Sequence, residues 1–101
     1  MGEHEQARAY LVRCLEKSKD SEIVAQARIL LGNVLLAVGD SVRAEKEYLS
    51  VIESDEKNAE AQFALGELYA SLGDSVKARA SWRKALRIDP THGLARVRLS
   101  S

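Results

Sequence analysis

The sequence predicts an all-α protein, an α-solenoid of antiparallel helix hairpins with about six helices. Residues 59–92 provide the first observation: two segments have apolar residues three and four positions apart, and the turn signal Gly73-Asp74 separates them. The second observation is that the same pattern occurs 34 residues earlier. A period of this length is typical of stacked helical repeats, each of which buries its apolar face against its neighbours.

Each segment of residues 59–92 has a single apolar stripe. Neither helix can bury its stripe alone, and a short connection containing glycine makes the two helices antiparallel with their stripes face to face. We therefore expect a helix hairpin. The stripe of the first segment consists of Ala61, Leu65, Leu68 and Leu72, and that of the second consists of Ala78, Trp82, Ala85 and Leu86.

The preceding copy matches this hairpin without a change of register. Gly32 corresponds to Gly66, and Tyr48 corresponds to Trp82. Glycine inside a helix costs about 1 kcal/mol relative to alanine. We therefore expect the two glycines to allow close approach of the partner helix, and the two aromatic side chains to pack in the core.

Capping residues set the expected ends of the helices. Gly39 and Gly73 follow the last apolar positions of the first helices, where a left-handed residue ends a helix at low cost. The helix after Ser21 is expected over about residues 22–38, and the last helix over residues 93–101. The expected N-caps are Ser21, Asp40 or Ser41, Asn58, and Asp74 or Ser75, with Pro90-Thr91 between the last two helices.

A further pattern lies in the second copy: Leu65-Gly66-Glu67-Leu68-Tyr69, Ala78, Trp82 and Pro90. It resembles the tetratricopeptide repeat (TPR) family, whose helix-turn-helix unit has the same period. The resemblance implies a right-handed, TPR-like superhelix and a non-enzymatic scaffold for protein–protein interaction. The chain departs from the family pattern at Arg28 and Gln62, where the family often has Trp, and at Leu35 and Glu56, which replace the equivalents of Tyr69 and Pro90.

We expect a single domain over residues 1–101, divided into two full repeats and two partial ones. The full repeats are residues 25–58 and 59–92. Residues 1–20 match only the second helix of a repeat, and residues 93–101 match only the first helix.

Composition and charge limit the class of protein. No stretch approaches the run of about 18 apolar residues that a membrane-spanning helix needs, and residues 1–6 are polar with no apolar signal segment behind them. The single cysteine, Cys14, excludes an intrachain disulfide and is expected in the core. The formal net charge is zero, but residues 1–74 carry 8 Lys+Arg and 14 Asp+Glu, whereas residues 75–101 carry 7 and 1.

No group of residues predicts catalysis. His4 and His92 are expected in turns at opposite ends of the chain, as solvated or capping side chains. The two Gly-Asp-Ser segments lack the Gly-Lys-Ser/Thr ending of a phosphate loop, and no spacing of His and Cys suits a metal. We therefore expect no enzyme activity, no cofactor and no metal.

A row of side chains lies off the hairpin stripes, with Ile29, Phe63 and Val97 one repeat apart. The resemblance to the TPR family implies that this row faces a concave groove. Apolar side chains among a few polar groups suit an apolar or amphipathic peptide or helix of a partner protein. The alternative is that some of them pack between neighbouring hairpins. The implied partner-binding groove consists of Gln26, Ile29, Asn33, Leu36, Glu60, Phe63, Glu67, Ala70, Leu94 and Val97.

Family members that hold acidic chaperone C-termini line this groove with a clamp of Lys, Asn and Arg. Asn33 and Arg98 match that clamp, but Ile29, Ala64 and Leu94 stand where the other clamp residues would be. We therefore do not expect this chain to bind acidic termini in that way.

Two alternative functions remain open. Residues 1–17 of one copy could bind residues 93–101 of another, and the opposite charges of the two parts of the chain would favour such head-to-tail self-assembly into a homo-oligomer. The alternative is that the single helices at the two ends only mark where a longer repeat array was cut, or serve as simple caps of the array. RNA binding is less favoured, because no aromatic platform accompanies the basic residues Lys77, Arg83, Lys84, Arg87, Arg96 and Arg98.

Overall fold

The structure, a computed structural model, describes residues 2–17 and 20–100. These residues form six α-helices and no strand. Each helix packs against the next, and α2 also contacts α4. The predicted all-α, solenoid-like fold is confirmed. The helices are α1 (Gly2–Lys17), α2 (Ser21–Ala37), α3 (Ser41–Ser54), α4 (Ala59–Ser71), α5 (Ser75–Ile88) and α6 (Gly93–Ser100).

Carboxylate and amide side chains begin helices α2 to α5. The carboxylate of Asp20 accepts hydrogen bonds from the backbone N–H groups of Glu22 and Ile23, which satisfies two of the N–H groups that a helix start leaves free. The prediction of Ser21 as N-cap was therefore wrong by one residue. The caps at Asp40, Asn58 and Asp74 are confirmed.

Glycine ends the first helix of both hairpins. Gly39 has φ 89° and Gly73 has φ 82°, the left-handed conformation in which only glycine avoids a steric cost. The prediction that Leu72 belongs to the apolar stripe was wrong. The turn at Gly73 places Leu72 at the C-cap of α4, where its side chain is 59% exposed.

The core consists of two clusters that meet on α4. The first core joins α1 to α4, and the second core joins α5 to α6, with Phe63 of α4 packed against it. The half-buried ring of Tyr69 contacts both. The first core contains Leu11, Ala27, Leu31, Leu35, Ala44, Tyr48, Ala64, Leu65 and Leu68, and the second contains Ala78, Trp82, Ala85 and Ala95.

The predicted packing of the aromatic side chains is confirmed, since Tyr48 is fully buried and Trp82 is buried. The side chain of Cys14 lies outside the described part of the structure, so its burial stays a prediction. Ser18, Lys19 and Ser101, at the predicted break before α2 and at the end of α6, also lie outside it.

Candidate partner-binding groove

The ten predicted groove residues lie on the first helix of each hairpin, α2 and α4, and on α6. None of the ten is buried. Their spacing of three or four residues keeps those of one helix on one face. The contact between α2 and α4 brings two of these helices side by side.

The apolar members differ in their exposure. Ile29 and Leu36 are half-buried and pack against the first core, whereas Phe63 is half-buried against the second. Leu94 and Val97 are each 57% exposed. Packing against the two cores therefore accounts for part of the surface of Ile29, Leu36 and Phe63. Of the large apolar groove residues, the two on α6 are the most exposed.

Phe63 and Glu60 meet His92, which precedes α6. The rings of Phe63 and His92 lie 4.9 Å apart, tilted by 34°. The Nδ1 atom of His92 accepts a hydrogen bond from the N–H of Ala95 at 3.2 Å, so that Nε2 carries the proton of the neutral ring and donates it to Glu60 Oε1 at 2.8 Å. His92 thus caps α6 with its ring and is 7% exposed.

The predictions for the two histidines are partly corrected. The prediction for His92 is confirmed, since it lies in a turn and caps a helix; its ring is buried, and Phe63 packs against it. His4 is exposed, as expected, but lies in α1 rather than in a turn.

Two polar groove residues are bound to neighbouring elements. Glu67 on α4 accepts two hydrogen bonds from Arg98 on α6, at 2.7 Å and 3.3 Å. This carboxylate raises the pKa of the Arg98 guanidinium, and the pair links two helices of the groove. Asn33 Oδ1 accepts a hydrogen bond from the hydroxyl of Tyr48. Burial raises the pKa of that tyrosine to about 12.

A cleft of about 650 Å³ is lined by the N-terminal parts of α2 and α4, by the C-terminal end of α3 and by the connections that follow α3 and α5. Gln26, Ile29 and Glu60, three of the predicted groove residues, lie in its wall. We call it the acidic cleft, because four carboxylates also line it: Glu22, Asp55, Glu60 and Asp89. Glu22, Asp55 and Asp89 were not predicted as site residues, although Asp55 and Asp89 are one repeat apart in the sequence.

A second cleft, of about 360 Å³, lies between α1 and α2 and is mostly apolar. We call it the α1–α2 cleft. Leu30 and Val34 of its wall correspond, one repeat later, to Ala64 and Leu68, which are buried in the first core. In this structure Leu30 is 52% exposed. The α1–α2 cleft is lined by His4, Ala7, Tyr10, Leu11, Leu30, Asn33, Val34 and Ala37.

The basic residues that could bind RNA lie on α5 and α6. Those on α5 are exposed, and the ammonium group of Lys77 lies 5.4 Å from the centre of the Tyr69 ring. On α6, Arg96 donates a hydrogen bond to the carbonyl oxygen of Pro90 at 2.8 Å, and Arg98 binds Glu67 on the groove side.

Neither a metal site nor a membrane span is visible in the parts of the chain that the structure describes. Within residues 2–17 and 20–100, no three His, Cys, Asp or Glu side chains are placed to share a metal ion. No helix of those residues combines the length and the apolar character needed to cross a bilayer.

Stacked antiparallel hairpins that present side chains on their first helices define a helical-repeat scaffold. The family model of the tetratricopeptide repeat matches residues 29–92. The chain therefore belongs to the tetratricopeptide repeat family, as the sequence predicted. Proteins of this family are generally non-catalytic scaffolds for interaction with other proteins.

YrrB and MamA are among the solved structures that are similar to this chain. YrrB, a TPR protein with an unusual peptide-binding site, has a TM-score of 0.84 and 28% sequence identity, over 97% of this chain and 49% of that one. MamA has a TM-score of 0.76 and 24% identity, over 91% of this chain and 52% of that one. This chain thus spans about half the length of each. The comparison with curated proteins found no match to this chain.

Proposed function

We propose that this chain is a non-enzymatic scaffold that binds a peptide or helix of a partner protein along the ten predicted groove residues. The observation that carries the proposal is the exposure of Leu94 and Val97 on α6, 57% each. Val97 lies at the position that corresponds, in the preceding repeats, to Phe63 and Ile29. Exposed apolar side chains in a row between polar groups are typical of protein-binding surfaces. The similarity to YrrB, which has a peptide-binding site, supports the same use of this fold.

The placement of the two histidines supports a non-enzymatic role. Both ring nitrogens of His92 are engaged, one by the N–H of Ala95 and one by Glu60. His4 lies on α1 in the first half of the chain. A general base needs a free nitrogen beside a nucleophile or substrate position, and His92 offers none.

The proposal is tested with a random library of displayed peptides about nine residues long, a length that spans roughly 30 Å when extended, similar to the 29 Å middle dimension of the molecule. Peptides selected on the wild-type protein are measured against the groove variant Leu94→Ser/Val97→Ser. Val42→Ser/Val76→Ser is the matched control, because these residues are also exposed, at 66% and 79%, but lie at the start of α3 and α5.

The groove variant should bind the selected peptides at least about tenfold more weakly, since two apolar contacts of about 0.7 kcal/mol each amount to that factor. The control should bind as the wild type does. We chose Leu94 and Val97 over Phe63 because Phe63 packs on His92, and its replacement would disturb the fold as well. Equal binding by all three proteins, or weaker binding by the control variant alone, would show that the groove is not the binding surface.

Self-assembly is a second candidate, and the α1–α2 cleft is the observation that favours it. Its apolar wall corresponds to a surface that, one repeat later, is buried in the first core, where α2 and α3 pack against α4. An α6 from a second copy would cover it in a head-to-tail contact. The charge distribution adds nothing to this contact, because α1 carries three acidic and three basic residues and the acidic excess lies in residues 40–74.

The mass in solution separates the two candidates. Light scattering over a range of protein concentrations should show a monomer if the groove binds only other proteins. A mass that rises with concentration, and returns to that of a monomer on replacement of Leu30 by Glu, would establish self-assembly through the α1–α2 cleft.

A further inference from the structure

The acidic cleft has the size and shape to receive a side chain of the partner. Its volume of about 650 Å³ lies within the roughly 300–1,000 Å³ of ligand-binding clefts. Part of its wall is apolar, formed by Ala25, Ile29, Val51 and Ala59. Such a wall suits the aliphatic stem of a long side chain.

The charges of the acidic cleft favour a cation. Glu22, Asp55, Glu60 and Asp89 contribute four negative charges, and Lys57 contributes one positive charge. The N-terminal ends of α2 and α4 each add about half a positive charge, and the C-terminal end of α3, with Ser54 in the wall, adds about half a negative charge. At neutral pH the cleft therefore retains about 2.5 negative charges, so the helix dipoles do not convert it into an anion site.

Hydrogen bonds hold three of these carboxylates in the wall of the cleft without removing their charge. Asp55 accepts from the N–H of Lys57 at 3.1 Å, and Glu60 is bound to His92 at 2.8 Å. Asp89 accepts from the hydroxyl and the N–H of Thr91, and these bonds lower the pKa of its carboxyl group. The negative charges are thus positioned before a partner arrives.

Glu60 connects the acidic cleft to the apolar part of the groove. Its hydrogen-bond partner His92 packs against Phe63, and Ile29 belongs both to the predicted groove and to the wall of the cleft. A segment lying along the groove can therefore place one side chain on Phe63 and a nearby one in the cleft.

We infer that the partner of this groove is a cationic, amphipathic segment, in which a lysine or arginine enters the acidic cleft and a neighbouring apolar side chain lies on Phe63. This inference rests on the proposed function and adds the chemistry of the partner. An acidic segment is repelled from the same place by the four carboxylates.

The test uses the peptides selected from the random library on the wild-type protein. Their affinities are compared for a cleft variant, Glu22→Gln/Glu60→Gln, and a control variant, Glu3→Gln/Glu5→Gln. Both variants lose two carboxylates, and glutamine at position 60 still accepts the hydrogen bond from His92. Glu3 and Glu5 are exposed in the first turn of α1, and neither lines the acidic cleft.

The selected peptides should be enriched in Lys or Arg near an apolar residue. At about 50 mM salt the cleft variant should bind them about fivefold more weakly, and the difference should nearly vanish at about 500 mM. The control variant should bind within about a factor of two of the wild type. Replacing the basic residue of a peptide by glutamine should have the same effect as the cleft variant.

Peptides that depend on Leu94 and Val97 but contain no excess of basic residues would overturn the inference and leave the proposed function intact. Equal weakening by the cleft and control variants would overturn it as well, because the effect would then come from net charge alone. A library that yields no peptide sensitive to the groove variant would reject the proposed function and the inference together.

Discussion

The indole ring of Trp82 occupies the space that a side chain at position 66 would need. A Cβ atom built on Gly66 would lie 2.5 Å from Trp82 Cδ1 and 3.1 Å from the carbonyl oxygen of Ala78. The same relationship recurs one repeat earlier, where a Cβ on Gly32 would lie 2.5 Å from Tyr48 Cε1. In each hairpin a glycine on the first helix therefore admits an aromatic ring from the second.

Replacing Gly66 by alanine should destabilise the protein, although alanine is the better helix former. Helix propensity alone would add about 1 kcal/mol of stability, but the added methyl group overpacks the contact with Trp82 at a cost of about 1–3 kcal/mol. We expect the free energy of unfolding, measured with urea, to fall by up to about 2 kcal/mol.

Gly93→Ala is the matched control, because Gly93 is the first residue of α6 and a Cβ there would meet nothing within 4 Å. Its free energy of unfolding should stay within about 0.5 kcal/mol of the wild type. A Gly66→Ala protein that is more stable than the wild type would show that the ring does not fill this space.

His92 should contribute to stability as the N-cap of α6. His92→Ala removes the acceptor for the N–H of Ala95 and the ring that covers Phe63, so we expect a loss of at least about 1 kcal/mol. Amide hydrogen exchange of Ala95 should accelerate in proportion.

Two further variants separate the cap from the packing. His92→Asn keeps a side-chain acceptor at the N-cap and should recover part of the amide protection. His4→Ala removes an exposed histidine from α1 and should leave α6 unchanged. Unaltered exchange at Ala95 in the His92→Ala protein would contradict the capping role.

Stability should fall at high pH because two tyrosines are buried or half-buried. Burial raises the pKa of Tyr48 to about 12. For Tyr69, burial and then the hydrogen bond to Glu45 raise the pKa to about 12. Since the unfolded phenol has a pKa near 10, this stabilisation is complete below pH 10 and is lost as the pH rises towards about 12.

Above pH 10, each tyrosine lowers the free energy of unfolding by at most about 1.4 kcal/mol per pH unit. The loss is smaller for the half-buried Tyr69. Urea unfolding at several pH values between about 9 and 12 measures it. The Tyr48→Phe protein should lose stability less steeply than the wild type. A parallel decline in the two proteins would mean that Tyr48 does not titrate with folding.

The sequence predicted the hairpins because their signals are local and repeated. The glycine at each turn, the interior glycine and the aromatic residue opposite it recur at one period, and each repeat satisfies them in the same way. The small errors fall at helix ends. At the start of α2, two adjacent residues could cap, and the carboxylate of Asp20 acts rather than Ser21.

The surroundings of His92 and the acidic cleft could not be predicted in the same way. Their residues come from four helices and two connections, so their proximity depends on how the hairpins stack rather than on any local pattern. The pairing of Glu60 with His92 spans 32 residues. The boundaries of the repeats at residues 25–58 and 59–92, and the ten groove residues, stay predictions.

The most direct test of the central claim is a ¹H–¹⁵N NMR titration of the wild-type protein with a peptide selected from the library. If the groove is the binding surface, the amide signals that shift most should be those of α2, α4 and α6, with Ile29, Phe63 and Val97 among them. Shifts confined to α3 and α5, the second helices of the two hairpins, would contradict the account.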